Sequence, residues 1–541
     1  MRKLLTFVAA TLIAGNLLAG GLVTNTNQSA MFTRLQNRNA STSIDAVYYN
    51  PAGLTKLGNG FFASINNQTI GQTRTISTNY APITGSPKDY EGSVSAPFYP
   101  GVYVAYNTGK LSFSAGFNPI GGGGGATYEE GLPSFEAQLA EIPALLTSQG
   151  IPTTAYDAEI FFEGTSVYFG YQANVAYKIN DQLSLGAGFR LVTAKNTYNG
   201  YIRNIQINPN YPAFGTKYTG VMNPAPGFFT DGANYLAGVS TLCANTATAL
   251  QPIITGGGGS VPLSNGTAVG MTPAQVATLQ ATITALGGNP AGMTIAQTQT
   301  FFNTTSTTYA TKSATMAGLS SQTQDRTVDV EETGTGYTPI LSANYSPSDK
   351  VNISIRYEFK TNLELTAKVN NGMDGGGLYT DGEKTIADMP ALLAIGGEFK
   401  PMDKLLVGAT FNTYFDKNVD YDGSESTDID MIDNNFLEYG LGAEYSFSEK
   451  LRASLGWVAT STGVNENYQS DMRYSANTNS FGGGIGYRIT PMIDLNIGGQ
   501  YTMYQDVTKD YTRALGAYTE TYGKQTWVVA LGLDFYFGKT E

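Results

Sequence analysis

The sequence predicts an all-β protein, a 14-stranded antiparallel transmembrane β-barrel. Apolar and polar residues alternate over runs of about 12–18 residues, whereas a strand of a globular domain usually has about 5–6. Tight polar turns join the runs at one end and long segments join them at the other, as periplasmic turns and extracellular loops do. No stretch of about 18 apolar residues follows the N-terminal segment, so helical spans are not available.

The run that follows Lys350 shows the alternation clearly. One of its faces carries apolar side chains, at Val351, Ile353, Ile355, Tyr357 and Phe359. A period of two belongs to a β-strand and not to an amphipathic helix. We predict strands at 59–72, 93–107, 110–119, 161–178, 182–198, 326–346, 350–366, 384–400, 404–417, 431–448, 451–463, 476–489, 493–506 and 521–537. This even number places both termini on the periplasmic side. The sheet must close, because an open edge in lipid leaves backbone groups unpaired.

Composition restricts the functional classes. A chain with 35 Tyr, 26 Phe and 64 Gly but only 14% charged residues suits aromatic girdles and bent strands. The net charge of −12 argues against nucleic acid as a partner, because its phosphates would be repelled. The chain has no histidine, which excludes a Ser–His–Asp triad and His-ligated zinc or haem. We therefore expect no enzyme activity, no metal and no cofactor.

Three regions follow one another along the chain. Residues 1–20 have the layout of a secretory signal peptide, with Arg2 and Lys3 before an apolar run and small residues at its end. We expect cleavage near Ala19 to Gly21. Residues 21–57 are polar, do not alternate and are too few for an independent domain. They form either a plug inside the barrel or a periplasmic tail. Residues 58–541 form the barrel, with long extracellular loops at 120–160 and 199–325.

The two long loops contain helix-like stretches. Within 120–160, four apolar residues share one face of a helix, namely Phe135, Leu139, Ile142 and Leu146. In the second loop, Thr272 and Pro273 begin a helix over 272–286, with Pro at its first position. These helices form either an external capture site for a ligand or packing contacts between loops. A loop as long as 199–325 is either functional or partly disordered.

Two short motifs resemble the FadL family of outer-membrane transporters. The segment from Ala40 to Leu54, ASTSIDAVYYNPAGL, resembles the N-terminal hatch of that family, and Asn50, Pro51 and Ala52 match its Asn-Pro-Ala motif. The segment Gly116-Phe117-Asn118-Pro119-Ile120-Gly121 looks like the Pro-Phe-Gly segment of the third strand, with Ile120 in place of Phe.

In the family the third strand is kinked and opens a lateral hole in the wall, which would place that opening at Gly116, Pro119 and Gly121 here. The residues themselves agree, because Pro119 has no N–H for the ladder and the glycines after it have no side chains to pack. The alternative is that the strand simply ends at Pro119.

The resemblance implies a small N-terminal hatch inside the lumen of the barrel. It also implies a monomer in the bacterial outer membrane, surrounded by lipid. It implies passive transport of long-chain fatty acids or other hydrophobic small molecules from an external groove to a lumen pocket and out through the lateral opening. By strand parity Arg190, Arg356 and Lys360 face the lumen, where they would bind a ligand carboxylate. Alternatively, they pair with lumen carboxylates such as Glu358.

Other functions stay open at this point. The loop at 199–325 would serve a surface binding or adhesion protein that uses the barrel as its anchor. A haem-type ligand receptor would need Tyr or Met as axial ligand. A water-filled porin conflicts with a plug, and an outer-membrane hydrolase conflicts with the missing histidine.

Overall fold

The computed structural model describes residues 25–419 and 431–538, so the signal peptide predicted over 1–20 and the first residues of the hatch segment lie outside the described residues. One antiparallel sheet contains 18 hydrogen-bonded strands. Three barrel strands are each interrupted once, and one two-residue strand, Asn223–Pro224, only extends the pairing of its neighbour. The barrel therefore has 14 strands.

The strands follow the chain order around the barrel. They are β1 (Gly60–Thr78), β2 (Lys88–Thr108), β3 (Leu111–Tyr128), β4 (Tyr156–Lys178), β5 (Leu183–Ile207), β6 (Arg326–Ser348), β7 (Val351–Glu358 and Glu364–Asp374), β8 (Lys384–Ile386 and Leu392–Met402), β9 (Leu405–Tyr414), β10 (Phe436–Ser446), β11 (Leu451–Ser461), β12 (Thr478–Thr490), β13 (Ile493–Tyr504 and Val507–Arg513) and β14 (Gly516–Tyr536). β1 pairs with β14 from Phe62↔Tyr536 to Thr78↔Glu520, which closes the sheet. The predicted fold class is confirmed.

Several strands extend further toward the long loops than the alternation predicts. β3 ends at Tyr128 rather than 119, and β5 ends at Ile207 rather than 198. The connections that were predicted as loops over 120–160 and 199–325 therefore begin later than predicted. The run Gly121 to Gly125 carries no side chains, so its sequence has no period that could mark it as a strand.

The outer face of the barrel is apolar. Large exposed side chains cover it, among them Ile65, Phe113, Val175, Leu185, Phe189, Leu341, Ile353, Leu441, Leu455, Phe481, Trp527 and Leu531. An exposed apolar surface of this extent requires lipid as its surroundings. The inward positions of the same strands are polar or glycine, which is the alternation that the sequence shows.

The hatch lies inside the lumen and is not a periplasmic tail. It contains α1 (Ala30–Leu35), α2 (Ala46–Tyr49) and a 3-10 helix (Pro51–Lys56). Ser29 caps α1 by accepting a hydrogen bond of 3.0 Å from the Phe32 backbone N–H. Every residue of α1 is buried, and the helix packs against β11, β12, β13 and β14.

Lumen-facing glycines of the wall leave the space that the hatch occupies. A Cβ atom at any of these positions would collide with hatch atoms; they are Gly396, Gly408, Gly440, Gly442, Gly456, Gly482, Gly498 and Gly532. We call this set the glycine seat. A Cβ on Gly498 would lie 2.9 Å from the Arg34 backbone nitrogen, and one on Gly482 would lie 2.5 Å from the Thr33 carbonyl oxygen. The hatch backbone therefore lies directly on the wall backbone.

The residues 140–159 and 203–325 form a second compact unit. The helices beyond the hatch are α3 (Pro133–Ala140), α4 (Ile142–Ser148), α5 (Ala225–Thr255), α6 (Pro273–Ala285) and α7 (Ile295–Gln322). Shorter 3-10 helices lie at Pro212–Phe214, Gly258–Ser260, Leu263–Val269, Asp416–Asn418 and Glu466–Tyr468. In this unit, α5, α6 and α7 enclose an apolar core that includes the buried thiol of Cys243.

The helix predicted over 272–286 is confirmed as α6, with a capping box between Thr272 and Gln275. The single helix predicted over 135–146 is wrong. Two helices, α3 and α4, meet at Glu141, because Pro143 fits the first turn of a new helix but not the interior of a longer one. Within the described ranges 25–419 and 431–538, no helix is long and apolar enough to cross a membrane.

The glycine seat predicts that substitution of two adjacent glycines has different effects on the hatch. We expect Gly498→Val to loosen the hatch, since overpacking typically costs about 1–3 kcal/mol. Hydrogen exchange of residues 30–57 in the folded barrel measures how far the hatch is loosened. Gly499→Val is the matched control, because a Cβ there faces outward and meets only the Val528 oxygen at 3.9 Å. Equal hatch protection in both variants would contradict the seat.

Candidate functional site

The Asn-Pro-Ala motif joins the hatch to the barrel wall at β6. The Asn50 side-chain amide donates to Asn344 Oδ1 at 2.7 Å and to the Ser41 carbonyl oxygen at 3.0 Å. The Ala52 N–H donates to Ser342 Oγ at 3.1 Å, and Pro51 begins the 3-10 helix. Asn50 thus links two parts of the hatch and the wall.

An internal ion pair fixes the loop between α1 and α2. Arg38 Nε and one terminal nitrogen each donate to the Asp45 carboxylate at 2.8 Å, and Ser41 Oγ donates to it at 2.6 Å. Burial alone would raise the pKa of Asp45, but the Arg38 charge and the hydrogen bonds of Arg38, Ser41 and Ser29 outweigh it and hold that pKa below its usual value. The pair is therefore ionised at neutral pH.

The three lumen cations predicted as ligand donors all have carboxylate partners. Arg190 contacts Glu358 with both terminal nitrogens, at 2.6 and 2.9 Å, and Arg356 Nε lies 3.4 Å from the same carboxylate. Both guanidinium groups lie over the Tyr48 ring of the hatch, at 4.9 and 4.8 Å from its centroid. Lys360 contacts Asp388 at 2.6 Å. These contacts match the alternative in which lumen charges pair with each other.

The barrel wall is interrupted between β2 and β3. The two strands pair from Val102↔Phe117 to Thr108↔Leu111 and again at Gly92↔Tyr128 and Ser93↔Thr127. Between these ladders, residues 94–101 and 118–126 have no pairing with each other. On the other side, β3 stays paired with β4 but shifts its register twice, between Pro119 and Gly121 and between Gly121 and Gly124. The strand does not end at Pro119. Gly116 lies before the interruption and leaves room for Tyr103 and for Val47 of the hatch.

The first described residues of the hatch lie at this interruption, which we call the wall gap. The Asn25 N–H donates to the Ile120 carbonyl oxygen at 3.2 Å. The Tyr99 hydroxyl donates to the Pro119 carbonyl oxygen at 2.6 Å and accepts from the Asn25 side chain at 3.0 Å. Gln28 Oε1 accepts from Asn118 at 2.5 Å. The hatch therefore occupies backbone groups that the missing ladder leaves unpaired.

An aromatic apolar cluster fills the barrel on the loop side of the hatch. Its members come from most of the strands and include Tyr90, Tyr128, Phe162, Tyr198, Tyr379 and Tyr522, with Phe135 and Tyr474 packed against them. We call it the outer cluster. Among the residues that the structure describes, the buried Tyr379 hydroxyl of this cluster has no hydrogen-bond partner. Such a region suits an apolar ligand that carries one polar group.

Two cations that the sequence reasoning missed border the outer cluster. Arg74 of β1 and Lys524 of β14 are direct cross-strand partners, and both side chains face inward. The Lys524 ammonium lies 5.4 Å from the Tyr474 ring centroid and 5.0 Å from that of Tyr504. Across the described ranges, neither cation forms an ion pair with a carboxylate, and Arg74 donates instead to Gln72 at 2.8 Å. Like charges directly opposite each other repel, so this pair favours an anion.

The four residues predicted for external capture are not exposed. Phe135 packs edge-on against Phe162 at 5.7 Å in the outer cluster. Leu139, Ile142 and Leu146 are buried. Within its own unit, Leu146 caps the turn that follows α4 by accepting from the Ile151 N–H at 3.0 Å. Capture by these side chains would need the helices to move.

A solved structure shares this architecture. A Pseudomonas aeruginosa FadL homologue superposes with a TM-score of 0.55 at 13% identity and covers 96% of this chain and 100% of its own. The barrel has the FadL fold. The toluene transporters TodX of P. putida and TbuX of Ralstonia pickettii give TM-scores of 0.46 and 0.45 at 12% and 15% identity, and cover 92% and 91% of this chain and 95% and 94% of their own. No protein-family model and no curated protein matches the sequence.

The Arg38–Asp45 pair makes hatch stability depend on pH. Because the folded pKa of Asp45 is lowered, the stabilisation is present above the ordinary carboxyl value near 4 and is lost as the pH falls through the folded value. We expect the protection factors of the hatch amides, which compare the measured exchange rate with the intrinsic rate at each pH, to be constant near neutral pH and to fall in acid.

The variant Asp45→Asn tests the same pair at pH 7. It removes the nearer charge partner of buried Arg38 and leaves only the Glu398 carboxylate at 3.9 Å, which costs up to about 3 kcal/mol, so hatch protection should fall strongly. Asp181→Asn is the control, since Asp181 is 96% exposed in a tight turn. Unchanged hatch protection in Asp45→Asn would contradict this assignment.

Proposed function

We propose that this chain is a FadL-family channel of the bacterial outer membrane that passively transports long-chain fatty acids or related hydrophobic acids. The observation that carries the proposal is the pair Arg74 and Lys524, which has no carboxylate partner among the described residues and borders the outer cluster. A fatty acid has the complementary parts, an anionic carboxylate for the pair and an apolar chain for the aromatic side chains. Transport of this kind neither makes nor breaks a covalent bond.

The hatch acts as the gate. It holds the wall with polar contacts of its backbone and of Asn50, and it occupies the wall gap through Asn25. A ligand chain that enters the outer cluster approaches the roof of the hatch, where Tyr48 lies between Arg190 and Arg356. Displacement of the first hatch residues frees the backbone at Ile120 and opens a path sideways into the membrane.

A lateral exit suits a hydrophobic cargo better than an exit through the periplasmic end. The hatch fills the lumen at that end and its residues are buried there. The wall gap instead leads to the apolar outer face. Its register shifts at Pro119 and Gly121 supply two extra residues in β3 that cannot join the ladder.

The cation pair predicts a head-group preference. We expect Arg74→Met and Lys524→Met each to weaken oleate binding roughly 10- to 150-fold, since a hydrogen bond to a charged group contributes about 1.5–3 kcal/mol. Oleyl alcohol, which has no charge, should bind as before. Equilibrium binding to the purified barrel measures both. Lys195→Met is the control, because Lys195 is exposed and pairs with Glu331 at 2.6 Å. Equal losses for oleate and oleyl alcohol would contradict the assignment.

The wall gap predicts the effect of a small deletion. Removing Gly122 and Gly123 shortens β3 by the two residues that it has in excess of β4 between Pro119 and Gly124, so that one continuous register can form between the two strands. We expect cells that lack their own fatty-acid channel to take up labelled oleate with the intact chain and much more slowly with the deletion. The purified variant should bind oleate as the intact chain does.

The control for this deletion removes Gly256 and Gly257, which lie in the connection after α5. Normal uptake by the Gly122–Gly123 deletion would contradict the lateral exit. A folded intact chain that restores no uptake of any hydrophobic compound would favour a surface binding protein instead.

A further inference from the structure

A second polar group lies within the outer cluster, on a different part of the wall from the cation pair. Asn196 of β5 and Glu332 of β6 are direct cross-strand partners, and both side chains are buried. The Asn196 side-chain amide donates to Glu332 Oε2 at 3.1 Å, and the Tyr198 hydroxyl donates to the same oxygen at 3.5 Å. The Tyr379 ring stacks on the Tyr198 ring with 5.7 Å between centroids. We call Asn196, Glu332 and Tyr379 the polar subsite.

The polar subsite has more hydrogen-bonding capacity than the chain uses. Among the described residues, Glu332 Oε1 accepts no hydrogen bond, and no Lys or Arg forms an ion pair with this carboxylate. Asn196 Oδ1 and the Tyr379 hydroxyl are buried and also have no partner among them. Buried polar atoms without a partner destabilise a fold, so a protein that keeps several of them together needs a reason to do so. A polar group of the ligand would supply the missing partners.

The three groups favour a hydroxyl as that partner. Glu332 Oε1 and Asn196 Oδ1 only accept hydrogen bonds, whereas the Tyr379 hydroxyl can donate one. Tyr379 lies in the connection between β7 and β8, where burial and then the Glu332 charge raise its pKa, so its hydroxyl keeps its proton. A ligand hydroxyl can donate to an acceptor and accept from Tyr379. An ammonium has no lone pair for Tyr379, and Glu332 repels a second carboxylate.

The cation pair and the polar subsite border the same apolar cluster. The cation pair reaches it at Tyr474, and the polar subsite contributes Tyr379. β2, β3 and β4 separate Arg74 on β1 from Asn196 on β5, which is roughly 19 Å along the curved sheet. The inward side chains shorten the path across the lumen. A long-chain acid whose carboxylate is bound by the cation pair therefore brings the middle part of its chain to the polar subsite.

We propose that the polar subsite binds a hydroxyl on the hydrocarbon chain and that the transported acid is a hydroxylated long-chain acid, an inference that rests on the function proposed above. The carboxylate lies at the cation pair, and the apolar chain crosses the outer cluster. The hydroxyl donates to Glu332 or Asn196 and accepts from Tyr379. A fatty acid without the hydroxyl covers these groups and leaves them unpaired, so it binds more weakly.

Ricinoleate, which is oleate with one added hydroxyl in the middle part of its chain, tests the polar subsite. We expect the purified barrel to bind ricinoleate roughly tenfold more tightly than oleate, as for a hydrogen bond to a charged acceptor. Glu332→Gln and Tyr379→Phe should each remove most of this preference, because they delete the charge or the hydroxyl and keep the size of the side chain. Tyr337→Phe is the matched control and should keep the preference, because Tyr337 lies exposed on the outer face of β6.

The preference of the intact chain separates this inference from the proposed function. Equal affinities for ricinoleate and oleate would overturn the hydroxyl site and leave the transport of fatty acids in place. A full preference for ricinoleate in both folded variants, Glu332→Gln and Tyr379→Phe, would overturn the site as well. If the intact chain binds neither acid, the proposed function itself fails, which is a distinct result.

Discussion

The hatch depends on being hydrogen-bonded by the wall that surrounds it. A segment of about 30 residues without its own core cannot bury its backbone polar groups unless the barrel supplies partners. The wall does so with side-chain amide and hydroxyl groups at Asn352, Ser342 and Ser354, and it brings its own backbone close through the glycine seat. Barrel and hatch therefore specify each other, and the same contacts decide where a ligand can pass.

This arrangement separates two kinds of lumen charge. Arg190 and Arg356 share the carboxylate of Glu358 around Tyr48 and hold the roof of the hatch. Arg74 and Lys524 lie nearer the loops, where no carboxylate of the described residues balances them. Charges that are already paired contribute to structure, whereas an unbalanced pair beside an apolar cluster is available to a ligand. The wall gap lies between the lumen, which holds both groups of charges, and the lipid.

The barrel strands could be predicted because the patterns that identify them lie within short stretches of the sequence. Period-two alternation and turn chemistry identify each strand, and the Asn50-Pro51-Ala52 segment identifies the hatch. The cation pair depends on pairing between β1 and β14, which are about 450 residues apart, so no local pattern contains it. The partners of Arg190 and Lys360 are likewise set by register. The long helices α5 and α7 escaped prediction because Thr and Gly have low helix propensity, and packing forms those helices.

The most direct measurement tethers the hatch at the wall gap. Asn25→Cys and Ile120→Cys, in a Cys243→Ala background, place two thiols at positions joined by a backbone hydrogen bond of 3.2 Å. Oleate uptake is then compared before and after the disulfide is reduced. The account predicts that the oxidised channel is blocked and that reduction restores uptake. Equal uptake with the disulfide fully formed would contradict gating by the hatch.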